Sequence, residues 1–185
     1  MAENVANSYR MGVELMASLK LACGFSWDIN ATLSRNRGED FVEKLYENED
    51  PSADKWETEL GDTHIAFSPD FIFNNSFTYN YKGFFAKLNS QYVSKQYMSN
   101  LDCEDHILDS YFVSNLDLSY TFEFAGLKSL TLGCTIYNLF NHEYENNGYA
   151  GSGFYYDGTQ KVRYNYSGYS AQAGTNVLAH IQLSF

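Results

Sequence analysis

The chain has 185 residues, a formal net charge of −11 and a mean hydropathy of −0.39. That acidity disfavours nucleic acid phosphates and anionic headgroups as partners, and no apolar run approaches the roughly 20 residues that a membrane helix needs. Cys23, Cys103 and Cys134 are odd in number and widely spaced, so they read as ordinary thiols rather than a disulfide framework or a zinc pattern.

The first apolar alternation is Met11, Val13, Leu15, Ala17 and Leu19, and it predicts a strand. After a short link near 21–24, Phe25, Trp27, Ile29, Ala31 and Leu33 alternate with Ser26, Asp28, Asn30, Thr32 and Ser34. The strongly acidic stretch 39–62 then reads as a long, solvated polar loop without the spacing or central Gly of a calcium loop. A third strand carries Phe71, Phe73, Phe77, Tyr79 and Tyr81 and ends at a tight turn, Tyr81-Lys82-Gly83. A fourth runs from Phe84 to about Tyr97, followed by a loop at about 98–110. The fifth sets Phe112, Leu116, Leu118, Tyr120, Phe122 and Phe124 against Asn115, Asp117, Ser119, Thr121 and Glu123. The sixth runs from Leu130 to about Phe140 and opens into a long aromatic, Gly-rich loop at about 141–172. In the last strand Val177, Ala179, Ile181, Leu183 and Phe185 alternate with Leu178, His180, Gln182 and Ser184.

Strands of about ten residues with one apolar face match a tilted crossing of an outer membrane. Short and long connections alternate throughout, as periplasmic turns and extracellular loops do. The short links near 22, 82 and 127 are then periplasmic, and Phe185 ends on the periplasmic side. The expected fold is all-β, an antiparallel transmembrane β-barrel segment of about seven strands with long extracellular loops. Seven is odd, whereas bacterial barrels have even strand numbers, so the expectation is a carboxy-terminal fragment spanning residues 1–185. Residues 1–10 lack the features of a signal peptide, which fits an internal start or a leader removed together with other sequence.

Several short motifs carry a family likeness. The segment Tyr137-Asn138-Leu139-Phe140-Asn141, with His142-Glu143-Tyr144-Glu145-Asn146-Asn147-Gly148-Tyr149 behind it, resembles the penultimate strand and outer loop of TonB-dependent outer-membrane receptors. The stretch from Gln172 to Phe185 resembles their closing strand, and Ser8–Leu15 and Ile65–Asp70 are similar to strands of the same barrels. The resemblance implies a whole protein with a barrel of about 22 strands, plugged by an amino-terminal domain that is absent here. It implies import of a scarce nutrient, above all a ferric siderophore or similar metal chelate, across the outer membrane of a Gram-negative bacterium. The implied partners are outer-membrane lipid, the TonB complex acting through the missing plug, and the barrel assembly machinery, which would read Phe185 as an insertion signal. No cofactor and no enzymatic activity are implied.

Glu14, Asp28, Lys87, Asp117, Glu123 and His180 fall on polar faces and would line the lumen, paired with one another or with the plug. In the last long loop Tyr149, Phe154, Tyr155, Tyr156, Tyr164 and Tyr166 with Lys161 and Arg163 combine rings and cations suited to an anionic, ring-bearing ligand. Self-packing of the loop or an interfacial aromatic belt explains the same residues. His64, His106, His142 and His180 are scattered, and the cluster Asp102-Cys103-Glu104-Asp105-His106 reads as a surface turn rather than a metal site. A small stand-alone barrel with a structural or adhesive role is the alternative, with an outer-membrane hydrolase behind it.

Overall fold

The computed structural model describes residues 7–124 and 126–185. Most of the amino-terminal stretch weighed above as a leader, residues 1–6, lies outside the described residues, as does Ala125 of the third short turn. The described residues form twelve strands: β1 (Asn7–Lys20), β2 (Phe25–Tyr46), β3 (Lys55–His64), β4 (Phe71–Tyr81), β5 (Phe84–Val93), β6 (Gln96–Tyr97), β7 (Ile107–Leu108), β8 (Tyr111–Phe124), β9 (Leu127–Tyr137), β10 (Glu145–Asp157), β11 (Gln160–Ala171) and β12 (Asn176–Ser184). The main sheet is antiparallel in the order β1-β2-β4-β5-β8-β9-β12, with β3 paired to the far end of β2. These seven path strands are the seven alternations of the sequence. The fifth and sixth predicted strands are β8 and β9, although β9 runs from Leu127 to Tyr137 and the fourth strand stops at Val93.

Register decides which side chains share a face, because directly opposed residues project together. Trp27, Phe77, Leu88, Leu116, Ile136 and Val177 form one continuous row, and Phe25, Tyr79, Ala86, Leu118, Cys134 and Ala179 form the next. Aromatic rows border this outward band, Tyr81-Phe84-Tyr120 at the turn end and Phe73-Tyr92-Phe112 at the other. Within it one polar row, Asn75-Ser90-Ser114, is satisfied internally, since Asn75 accepts from Trp27 Nε1 at 2.6 Å and the buried Ser90 and Ser114 hydroxyls bond to each other at 2.8 Å. From Tyr120 to Phe112 the strand advances eight residues. Tilted, that is about 20 Å along the membrane normal, close to the apolar height of outer-membrane barrels. The opposite face is polar and borders a hollow of about 680 Å³ lined by residues such as Ser18, Asp28, Asn30, Asn74, Ser76 and Gln91.

The short connections lie at one end of the sheet. Lys82 and Gly83 both have positive φ, 47° and 84°, which is the primed turn whose twist suits a two-residue hairpin. A Cβ at Gly83 would sit 2.6 Å from the Thr121 carbonyl oxygen, so no other residue fits without a backbone shift. At the other end the structure corrects two readings. The acidic stretch 39–62 is not a solvated loop, since β2 continues for 22 residues and pairs with β3 as a projecting hairpin. The segment 141–172 is likewise not an irregular loop but a second hairpin, β10–β11.

The neck of that second hairpin is pinned by Asn138, 4% exposed and at φ 49°. Its Nδ2 donates to the carbonyls of His142 (2.9 Å) and Ala173 (3.1 Å), and its Oδ1 accepts from the His142 amide (2.9 Å). Asn is one of the few residues that tolerates the left-handed conformation and can bridge both chain ends from it. The Tyr137–Asn141 motif is thus a staple that holds the end of β9 against the approach to β12.

Candidate functional site: the crown hairpins

The β10–β11 hairpin closes through a two-residue turn, Gly158-Thr159, with Gly158 at φ 63°, between strands that carry six tyrosines with Phe154 and Val162. Register sorts its side chains onto two faces. Tyr149, Gly151, Gly153 and Tyr155 oppose Gly168, Tyr166, Tyr164 and Val162 on the first face. Phe154 and Tyr156 oppose Arg163 and Lys161 on the second. The eight residues singled out as ligand candidates therefore divide evenly: four tyrosines on one face, and Phe154, Tyr156, Lys161 and Arg163 on the other.

The second face docks on the acidic β2–β3 hairpin. Phe154 is fully buried and meets Trp56 edge-on with ring centroids 6.0 Å apart. Phe41, Glu43 and Leu45, two residues apart along β2, are also buried. Glu43 is 2% exposed and faces Arg163. Its Oε2 accepts from Nη1 at 2.9 Å, while Oε1 lies 2.8 Å from Nη2 as an ion contact without hydrogen-bond alignment. Burial pushes the Glu43 carboxyl above its usual range and Arg163 pulls it back. Lys161 lies 2.9 Å from Asp54, whose other strong partner is the Tyr156 hydroxyl. The phenol first and the ammonium second hold the Asp54 carboxyl down at about 2, and Asp54 in turn raises the Lys161 ammonium.

The backbone completes the docking, since the Asn48 amide donates to the Phe154 carbonyl at 2.9 Å. This lays the 47–49 segment along the free edge of β10. Glu49 at that edge accepts from Tyr164 Oη at 3.0 Å and Tyr166 Oη at 3.1 Å, one phenol to each carboxylate oxygen. The rings reach it by crossing Gly153 and Gly151. A Cβ at Gly153 would lie 2.6 Å from Cζ of Tyr164, and one at Gly168 would meet the ring of Tyr149 at 2.5 Å. Both phenols are raised above the ordinary tyrosine value, first by burial and then by donating to Glu49.

His106 makes the third attachment. It is fully buried, with Nδ1 2.7 Å from Ser99 Oγ and Nε2 3.1 Å from the Gly151 carbonyl. The sequence places it in a surface turn, and the turn is real, a 3-10 segment at Glu104–His106, but its histidine points inward as a tie between the 94–110 connection and β10. Burial lowers its basicity, keeping the ring neutral with one nitrogen donating and one accepting. Asp102 is engaged by His64, whose backbone amide and Nδ1 both meet its carboxylate at 2.8 and 2.9 Å. Among the described residues no group of three or more His, Cys, Asp or Glu could hold a metal ion.

The residues read as lumen-facing lie on the polar side of the main sheet, far from the hairpins in sequence register. Glu14 accepts from Asn30 at 2.7 Å, Asp28 accepts from Ser18, and Asp117 accepts from Thr135 at 2.7 Å and stands opposite Lys87. His180 lies over Gly133, its register partner, and Glu123 is exposed near the third turn. Phe185 is 79% exposed, just past the end of β12. Glu43, Glu49, Asp54, His106 and Asn138 were not recognisable as structural anchors in the sequence. The clues were the spacing of Phe41 and Leu45 around Glu43 and the Asp157-Gly158 hairpin signal.

A sheet with an apolar outer face, aromatic borders, a polar inner face and projecting hairpins at one end defines a sector of an outer-membrane barrel. Residues 2–139 match the family model described as TonB dependent receptor-like, beta-barrel, and the chain belongs to that family. Its members are transport receptors rather than enzymes and reside in the outer membrane of Gram-negative bacteria, which is where this chain belongs. Among solved structures, the ferric yersiniabactin uptake receptor FyuA from Yersinia pestis is similar, with a TM-score of 0.65 at 19% identity. That likeness covers 96% of this chain and 24% of FyuA, so the chain spans about a quarter of the receptor it matches. No curated protein matches.

Proposed function

We propose that residues 1–185 are the carboxy-terminal sector of a receptor that takes up a scarce nutrient, in the first place a ferric siderophore or a similar metal chelate. The observation that carries this reading is the family match together with two hairpins standing over one end of a membrane sheet. Among the described residues β1 pairs only with β2, and β12 only with β9. Open edges of this kind are not tolerated in lipid, which supports completion by further strands to a barrel of about 22. The polar inner face, with Glu14, Asp28, Lys87, Asp117, Glu123 and His180, then lines a lumen filled by a plug, through which TonB would transmit energy. Lipid contacts the outer rows, and the assembly machinery engages β12 with Phe185 as anchor.

The test is uptake in the native host with the whole gene deleted and restored. Radioiron presented as a ferric siderophore should enter the restored strain and not the deleted one, and a protonophore should abolish entry. Equal uptake by both strains across a panel of ferric chelates would overturn the chelate reading.

A further inference from the structure

We propose that the free face of the β10–β11 hairpin, with Tyr149, Tyr155, Tyr164, Tyr166 and Glu49, receives a positively charged, ring-bearing or alkylammonium ligand, not an anionic one. The inference rests on the uptake reading above and narrows its ligand class.

Charge is distributed unequally between the two faces. The hairpin's two cations, Lys161 and Arg163, project from the docking face, where Asp54 and Glu43 occupy them at 2.9 and 2.8 Å. Neither is available to an anion approaching the other face. On that face the register places tyrosines, glycines and Val162, with Asp157 opposite Gln160 at the tip. Glu49 adds a carboxylate at the edge whose hydrogen-bond partners are two neutral phenols, so its negative charge is positioned without being cancelled.

The rings are also presented in a usable way. Tyr149, Tyr155 and Tyr166 are 67%, 43% and 39% exposed. Tyr164 and Tyr166 stand as near-parallel plates with centroids 6.4 Å apart. The glycines opposite Tyr149, Tyr164 and Tyr166 let those three rings lie flat across the strand, which turns their π faces outward. Tyrosine faces next to a carboxylate attract cations through the ring quadrupole and direct Coulomb attraction, and repel anions for the same reason.

The test uses the intact full-length receptor in detergent and two ring-bearing ions of similar size, benzyltrimethylammonium and benzenesulfonate, followed by saturation-transfer NMR. The cation should bind about tenfold more tightly than the anion, the scale of one cation–π contact plus a nearby carboxylate. Glu49→Gln should remove most of that preference. Gly153→Ala, which only pushes the far end of the Tyr164 ring aside, should weaken cation binding about threefold. Unchanged hydrogen exchange of the Asn48 amide, which donates to the Phe154 carbonyl, would verify that the hairpin is still docked in both variants. Equal binding of the two ions, preference for the anion, or binding of neither would overturn the inference. So would protection of Tyr149 and Tyr155 from nitration in the intact receptor, since the face would then be covered by another part of the protein. These outcomes are separable from failure of the uptake reading. Loss of ferric chelate uptake as a function leaves the ion preference standing, and uptake indifferent to Glu49→Gln and Gly153→Ala leaves only the transport reading standing.

Discussion

The membrane sheet and the hairpins above it are both antiparallel, yet they are held together by opposite kinds of contact. In the sheet, continuous apolar rows such as Trp27-Phe77-Leu88-Leu116 face outward, and Asp28, Lys87 and Asp117 project from the wet side. In the crown, a carboxylate of 2% exposure is buried against an arginine, a lysine bridges Asp54, and a neutral histidine ties a loop to a strand carbonyl. Lipid cannot satisfy a polar group, so the sheet must sort its side chains by face. Water covers the crown from outside, which lets ion pairs serve as latches whose failure would release a hairpin without unravelling the barrel.

The sheet should therefore respond to a misplaced charge more than the crown responds to a lost one. In the full-length protein, Leu116→Arg places a cation in the middle outward row and should cost about 2–4 kcal/mol, whereas Asn89→Arg on the polar face should cost about 1 or less. Urea unfolding in lipid vesicles measures both, and equal costs would erase the distinction between faces. In the crown, Arg163→Met leaves Glu43 buried without its cation. The cost for a fully buried pair, about 3–5 kcal/mol, falls to about 2–3 because Arg163 is itself a third exposed. Its signature is faster hydrogen exchange in 145–171 with no change in the membrane strands, and the double substitution Glu43→Leu with Arg163→Met should recover most of the loss. Asn138→Ala removes the staple at the neck and should cost about 1–2 kcal/mol, read as faster exchange of the His142 amide.

Acid separates the latches further. The Asp54 carboxyl sits at about 2, below its ordinary value of 3.8. A depressed carboxylate stabilises the docked state above the unfolded value and loses that contribution as pH falls through the folded one, so this anchor should fade between about pH 4 and pH 2. Glu43, pushed upward, has the opposite sign: it takes up a proton above its unfolded value, and docking through it weakens as pH rises through that window. Trp56 fluorescence in a Trp27→Phe background should follow the acid release, and Asp54→Asn should remove its low-pH component. The smallest effect on stability should come from deleting Phe185, which is exposed and unpaired. The unfolding curve should hardly move, while pulse-chase labelling should show slower arrival in the outer membrane.

The same contrast explains what could be read from the sequence. The membrane strands were legible because lipid enforces strict alternation, so Leu116, Leu118 and Tyr120 announce their face without any knowledge of neighbours. Their ends were less so: β9 begins at Leu127, ahead of the apolar run that marks it. The crown was hidden because its strands bury charge. Glu43 sits where alternation calls for an apolar residue between Phe41 and Leu45, and only its distant partner Arg163 makes that position stable. Composition brought the ring-and-cation set of the last loop together as one site, but chain register splits it across two faces, a fact that spacing along a presumed loop cannot contain. His106 looked like a surface residue because its partners, Ser99 and Gly151, become neighbours only after the second hairpin folds back.

The most direct test of the barrel sector is site-directed spin labelling along β8 of the full-length protein in lipid vesicles, one label at a time from Asn115 to Tyr120. Collision with oxygen, which partitions into the bilayer, should peak at Leu116, Leu118 and Tyr120. Collision with a water-soluble nickel chelate should peak at Asn115, Asp117 and Ser119. A flat profile, or the reverse phase, would contradict the assignment of the apolar rows to lipid and the polar face to the barrel interior.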